Sequence, residues 1–389
     1  MKKIAVLTSR FPYPLDRGDK LRIFHQIKSL SESYDVSLYS VSREKVDERQ
    51  IEKLQPYCSK ILVHKLSIWE QIFGLLLSLM KKWPFQVGIH FSASFKKILE
   101  KDINQSNIDF VYCQLIRMAP FCTHLKHFKI IDYMDAFGLS MKKRSEISSF
   151  LFKWIYKWES KLVMAYEKRI SKYFDKLTFI TQKDAAATLD DAHDLQKSTI
   201  ISNGIDLDFF ASIENNFYSK FDVGFIGNLG YLPNVEAVKM LCNEIANCYE
   251  ATYGKPLSIL VGGARPSEDI LKLESNNITI VDGYSDIRDA YRSIKLLCAP
   301  IKSGTGQQNK VLEAIGMNIP VICSQEVKST LDIDGIIVAF SIKDYVMEIN
   351  KILSDEKLYT DTKQKAFNSL NKNYKWCDAN KRLTALFSN

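Results

Sequence analysis

The stretch SGTGQQNKVLEAIGMNIPVI, residues 303–322, decides how this chain of 389 residues is read. An apolar run at 294–300 precedes it and has the composition of a buried strand. Gly304 and Gly306 follow, then a helical pattern from about Asn309. The pattern closes at Asn318–Pro320 and enters a second strand at Val321–Cys323. Strand, glycine turn, helix N-terminus, strand is a layout that binds phosphate. The first amides and the positive end of the helix dipole point at the ligand. Two glycines let the backbone come close. Lys310 adds a mobile positive charge. Glu313, about one turn further on, shares its face and is positioned to accept bonds from a ribose diol. An ordinary strand-to-helix turn with a solvated lysine and glutamate carries the same residues, because glycine turns before helices are common.

The stretch resembles the donor-site segment of family-4-type retaining glycosyltransferases, which have the two-domain GT-B fold. Glu313, Ala314, Pro320 and Val321 match the second half of that family's pattern. Thr305 stands where the family has its first glutamate. The match is closer to a subgroup of bacterial sugar transferases that read G-x-G-x-Q-N-K-V-L-E-A. The resemblance implies that amides of the segment hold the donor sugar and that Glu313 holds the ribose. With Thr305 in place of glutamate, the sugar contact falls to the backbone of Gly304, Thr305 and Gly306, to the helix end at Asn309, and to Gln307 and Gln308.

Length and composition set the frame. The chain is long enough for two domains of ordinary size. A hydrophobic content of 46% and a charged content of 25% fit a globular protein. The net charge of +8 does not demand nucleic acid. It fits anionic substrates or an anionic membrane surface. The eight cysteines form no C-x-x-C pair and read as reduced core residues of a cytoplasmic protein. The short apolar run at Ile4–Leu7 reads as a strand rather than a signal peptide. The longest apolar run, Ile72–Met80, is too short to span a bilayer.

Residues 1–210 read as a first, acceptor-side domain. Lys3–Ser9 has the pattern of a buried parallel strand. The loop RFPYPLDRGDKLR, residues 10–22, follows it. By the resemblance, Gly18 is the glycine beside the donor diphosphate and the acceptor, and Lys20, with Asp19 and Arg22, faces the cleft. Further strands are expected at Tyr34–Val41, Ile61–Lys65, Asp109–Leu115, Lys129–Asp132 and Leu177–Thr181, the last closing the domain. Residues 68–95 are apolar and aromatic. They read either as a core helix pair or as an acceptor-side surface touching membrane. Asp135 stands close to the place where family members carry a histidine against the donor sugar. Asp132 and Asp135 supply too few oxygen ligands for a hard cation. Ser149–Leu177 has the spacing of one long amphipathic helix. Residues 142–176 hold ten Lys or Arg and four Asp or Glu, a local charge of +6. Such a helix over residues 142–177 suits an anionic membrane surface; a core-facing helix with a solvated back has the same pattern.

Residues 211–370 read as a second, donor-binding domain, and 371–389 as a closing helix that returns to the first, with Trp376 as its anchor. Strand, turn and helix recur. Asn228 lies in the glycine turn 227–230. Arg265 follows Gly262 and Gly263, a place suited to diphosphate. Tyr284, by the resemblance, seats the nucleobase. Strand ends bearing Gly, Arg and Tyr suit a nucleotide at the carboxyl edge of a parallel sheet.

No P-loop, no G-x-S-x-G and no G-x-G-x-x-G after the first strand occurs, which disfavours an NTPase, a hydrolase and a simple dehydrogenase. His124 and His127 lack partners for zinc. The expectation is an α/β protein of GT-B type, with two Rossmann-like doubly wound parallel-sheet domains facing an interdomain cleft. The implied reaction moves a sugar from a nucleotide-diphosphate-sugar donor to the hydroxyl of a glycan or lipid-linked acceptor, with retention. The implied setting is cell-envelope polysaccharide or glycolipid synthesis at the cytoplasmic face of the membrane. No metal and no cofactor are expected. Arg265, Lys310 and the helix end would stabilise the departing diphosphate. Asp135 is a candidate to position the donor or acceptor. Two alternatives remain: a GT-B nucleotide-sugar epimerase, and a non-catalytic nucleotide-sugar-binding or membrane-associated scaffold.

Overall fold

Apolar runs without alternation, such as KIAVLT, belong in sheets covered on both faces. The structure, a computed structural model, describes residues 1–147, 150–211, 219–302 and 306–388. It divides into two compact units. One is Met1–Asn203 with Cys377–Asn389, and the other is Gly204–Trp376. The corresponding sequence expectation set the divisions after 210 and 370.

Among the described residues, the first unit holds seven parallel strands: β1 (Lys3–Thr8), β2 (Asp35–Ser42), β3 (Lys60–Lys65), β4 (Phe110–Gln114), β5 (Phe128–Met134), β6 (Lys176–Phe179) and β7 (Ser198–Ile200). Their order is β3-β2-β1-β4-β5-β6-β7. Side chains alternate across β1, so Ile4 and Val6 enter one core layer and Ala5 and Leu7 the other. The helices that matter below are α1 (Gly18–Leu30), α2 (Ile68–Lys81), the single turn α3 (Phe85–Gly88), α4 (Phe137–Ile147) and α5 (Phe150–Ser171). The long helix expected to reach Leu177 ends at Ser171. Asp175 then pairs with the start of β5: its amide donates to the Lys129 carbonyl at 2.9 Å, and its carboxylate accepts from the Lys129 amide at 2.7 Å. The strand expected to close the unit has a further neighbour, β7.

The second unit holds β8 (Phe221–Ile226), β9 (Ile259–Gly263), β10 (Ile278–Asp282), β11 (Ile294–Ala299), β12 (Val321–Cys323) and β13 (Ile337–Val338). All are parallel, in the order β10-β9-β8-β11-β12-β13. Helix α6 (Leu232–Lys239) follows β8, and α7 (Asn309–Gly316) lies between β11 and β12. In each unit the order reverses beside the first strand, and ligands of doubly wound sheets bind at that point. The last helix, α8 (Trp376–Ala385), leads a segment that completes the first unit, where Leu383 and Phe387 are buried against β1 and β4 residues.

One ion pair ties the first unit together. Arg22 of α1, expected to face a cleft, is 0% exposed. Its Nε donates to Asp132 Oδ2 at 2.7 Å and its Nη2 to Oδ1 at 3.1 Å. Its Nη1 donates to the Ile201 carbonyl at 2.8 Å and to Asn203 Oδ1 at 3.0 Å. Asp132 also accepts from Thr178 Oγ1 at 2.9 Å. Arg22 is needed where Asp132 is, because either charge alone in this interior would be stranded. Arg22→Met is expected to cost about 3–5 kcal/mol in urea unfolding, and Arg22→Met with Asp132→Leu to recover much of it. A single variant as stable as wild type would show that the pair does not hold the unit.

Candidate functional site

In the second unit, the turns at the carboxyl ends of β8, β9 and β10 carry Asn228, Arg265 and Tyr284 of the predicted donor-side residues, and close contacts join these turns. Gly263 has φ +147°, and a Cβ on it would stand 1.6 Å from the Gly227 carbonyl oxygen. Only glycine lets these two strand ends approach. A Cβ on Gly262 would meet the Tyr284 ring at 2.9 Å, so the half-buried tyrosine lies over bare backbone. On the other side, a Cβ on Gly227 would stand 3.1 Å from Lys310 Nζ. The chain of contacts therefore runs from Tyr284 through Gly262, Gly263 and Gly227 to Lys310.

Lys310 sits in the first turn of α7 and is buried. Its ammonium donates to Asn234 Oδ1 at 2.6 Å and lies 4.2 Å from the centre of the Phe225 ring. Asn234 is held in turn, its Nδ2 donating to the Asn228 carbonyl at 2.8 Å. Burial pushes the Lys310 amine down to about 7, against the pull of the Glu313 charge. Glu313 is half-buried and accepts from Tyr291 Oη at 2.7 Å. Burial raises its carboxyl, opposed by Tyr291 and by Lys310. The N-cap residue of α7, Gln308, gives no side-chain bond to the first turn. A buried ammonium beside a helix N-terminus that no N-cap side chain covers is a setting for an anion.

The other expected donor residues take varied places. Gly306, with φ +78°, and Gln307 are buried in the approach to α7, and Gln308 and Asn309 are half-buried there. Gly304 and Thr305 lie outside the described residues. Arg265 is exposed, with φ +63°, and its amide donates to Asp282 Oδ1 at 3.1 Å. The side chain of Asn228 accepts from the Gly230 amide at 3.0 Å and so shapes its own turn.

In the first unit, Gly18 opens α1, and Lys20 is paired with Asp16 at 3.0 Å. Asp19 is bound by Arg10. Burial pushes the Asp19 carboxyl up, but Arg10, Arg117 and Arg17 hold it below the usual carboxylate range. Asp135 follows β5. Burial and the charge of Asp184 push its carboxyl up to about 7, against Arg117. Arg117 lies 5.7 Å from the Phe137 ring centre, and burial and Arg10 lower its guanidinium to about 10. Among the described residues, no group of three or more His, Cys, Asp or Glu side chains is placed to hold a metal ion.

Asn234, Tyr291 and Arg117 were absent from the sequence expectations. Asn234 left a faint signal, an amide side chain directly after Pro233 at the start of a helical pattern, and its burial is seen only in the structure. Tyr291 reads as an ordinary core aromatic, because its partner is far along the chain.

Known proteins place this geometry in context. Residues 220–355 match the family model described as glycosyl transferases group 1. A relative described as an uncharacterized 44.6 kDa protein in the cps region of Klebsiella pneumoniae is 24% identical, over 100% of this chain and 99% of its own length. The structure of Anabaena Alr3699/HepE in complex with UDP and glucose aligns with a TM-score of 0.66 at 12% identity, covering 100% of both chains. A variant of S. aureus TarM in complex with fondaparinux, alpha-GlcNAc-glycerol and UDP aligns at 0.68 and 11% identity, covering 100% of both. The chain has the GT-B fold.

The Lys310 ammonium sets a pH dependence. The folded chain releases that proton near 7, the unfolded chain near 10.5. Between these values the unfolded state holds the extra proton, so this group makes stability rise with pH. The unfolding free energy of wild type relative to Lys310→Met is expected to grow between about pH 6 and pH 9. A difference that stays constant over that range, in urea titrations, would place Lys310 in a solvated setting.

Proposed function

We propose that the protein is a glycosyltransferase that binds a nucleotide-diphosphate sugar at the carboxyl edge of the second sheet and transfers the sugar to an acceptor hydroxyl. The observation that carries the proposal is the buried Lys310 ammonium, held by Asn234 beside the N-terminus of α7 and the Gly227–Gly263 contact. The match to glycosyl transferases group 1 covers these same residues. Two structures of the same fold were determined with UDP, and that supports UDP as the nucleotide.

The chemical demand is charge. As the glycosidic bond to phosphate breaks, the diphosphate gains negative charge and the anomeric carbon becomes cationic. Fixed N–H groups and a cation aimed at the leaving oxygen favour that state over the ground state. Lys310 and the first turn of α7 supply them, with the exposed Arg265 beside Gly230 as an addition. Glu313, oriented by Tyr291, accepts from the ribose hydroxyls. Tyr284 packs on the base. Asp135, with a proton affinity near neutrality, positions an acceptor or donor hydroxyl. Retention by same-face attack, hexosyl transfer, metal independence and a role in polysaccharide synthesis belong to the same proposal. The cps-region relative supports the last.

Glu313→Ala is expected to weaken UDP binding about 10–100-fold in calorimetry, with an unchanged far-UV spectrum. Lys310→Met is expected to lower turnover about 10²–10³-fold. Release of UDP from a UDP-sugar should require an acceptor and persist in chelator. Acceptor-independent conversion of the sugar would mark an epimerase. UDP affinity indifferent to Glu313→Ala would remove the site.

A further inference from the structure

Helix α2 is turned the wrong way for a core helix. Its buried residues are Gly74 and Ser78. There α3 comes so close that a Cβ on Gly74 would stand 2.0 Å from the Gly88 carbonyl oxygen. Ser78 Oγ donates to the Gly74 carbonyl at 3.0 Å. The large side chains face outward: Trp69 is 76% exposed, Phe73 54%, Leu76 57% and Met80 81%. A globular protein ordinarily buries such a stripe. Left uncovered, it marks an interaction surface.

Helix α5 repeats this arrangement near its start, where Phe152, Trp154, Ile155 and Trp158 are exposed. The two stretches are joined. The Phe85 and Trp158 rings pack at 5.0 Å. The Glu159 carboxylate accepts from the amides of Phe85 at 3.1 Å and Gln86 at 3.2 Å. Arg169 Nη2 donates to the Lys82 carbonyl at 3.5 Å.

The charge around this apolar surface is cationic. Lys81 ends α2 and Lys82 follows it, and Lys153, Lys157 and Lys161 line α5, all exposed. The acids of α5 do not offset them. Glu159 and Glu167 are buried, and burial raises both carboxyls, Glu167 to about 8. Glu70 is engaged by Ser67, Ser94 and His64 at the far end of α2. Among the described residues, no helix is long and apolar enough to cross a membrane.

We propose that α2 and the first half of α5 form a docking surface for an anionic lipid bilayer. The tryptophans and aliphatic side chains enter the interfacial layer, and the lysines meet lipid phosphates. Charge favours this occupant over a second copy. Interface cores are depleted in lysine, and a two-fold contact would set the same lysines against one another. The inference concerns the first unit alone and is read from lipid binding, so it stands or falls apart from sugar transfer.

The test is flotation of the full chain with vesicles of equimolar phosphatidylglycerol and phosphatidylcholine, beside vesicles of phosphatidylcholine only. The expected result is binding to the anionic vesicles that falls with added salt. It should be weakened at least about tenfold by Trp69→Ser with Phe73→Ser. Both side chains are exposed, so that variant should keep the wild-type melting curve. Lys81→Gln with Lys82→Gln and Lys157→Gln should lose the preference for anionic lipid. Absence of wild-type binding, or equal binding by the Trp69/Phe73 variant, would overturn the proposal. So would a stable dimer in sedimentation that the same variant dissolves.

Discussion

A lysine amine buried beside a helix N-terminus is costly unless something negative comes to it. Among the described residues, the Lys310 ammonium bonds to a neutral partner, Asn234, and meets an aromatic face, and its carboxylate neighbour Glu313 is engaged by Tyr291. The desolvation cost shows in the amine, pushed down to about 7. An arriving diphosphate would restore its charge and strengthen the interaction in a site of low dielectric. The surrounding features can be understood as what this lysine requires. Asn234 holds it, Phe225 lies beneath it, and Gly227 presents no side chain that would crowd its ammonium.

Parallel topology explains why the other parts converge there. The order β10-β9-β8-β11-β12-β13 puts the ends of β8 and β11 side by side where the crossover direction reverses. Gly263 closes against Gly227, which draws the turn bearing Arg265 toward the turn bearing Asn228. The first unit repeats the topology around a different device. There the buried Arg22–Asp132 pair joins α1 to the centre of the sheet, and the carboxyl edge carries Asp19, Arg117 and Asp135 as an interacting charge cluster.

Local signals carried much of this. The strands are short apolar runs, and the glycines, Lys310 and Glu313 lie within a few residues of one another, so their layout is legible from spacing. What was not legible depended on distant partners. Arg22 looked like a charged loop residue because Asp132, the group that makes its burial tolerable, lies far along the chain. Asn234 and Tyr291 acquire meaning only when α6 and the helix at Ile287–Arg292 are set beside α7. For helix α2 the sequence left a core helix and a surface both open, because apolar composition does not say which face turns inward; two small residues, Gly74 and Ser78, decide that. β7 is short and half-buried, with little apolar content to announce it.

The central claim is that a nucleoside diphosphate binds at the carboxyl edge of the second sheet, against Lys310 and Glu313. Hydrogen–deuterium exchange with and without UDP tests it most directly, because it reports where backbone amides are covered. The account predicts slowed exchange in residues 306–313, with lesser protection at 227–230 and around 284. Protection confined to the first unit, or an exchange pattern unchanged by saturating UDP, would contradict it.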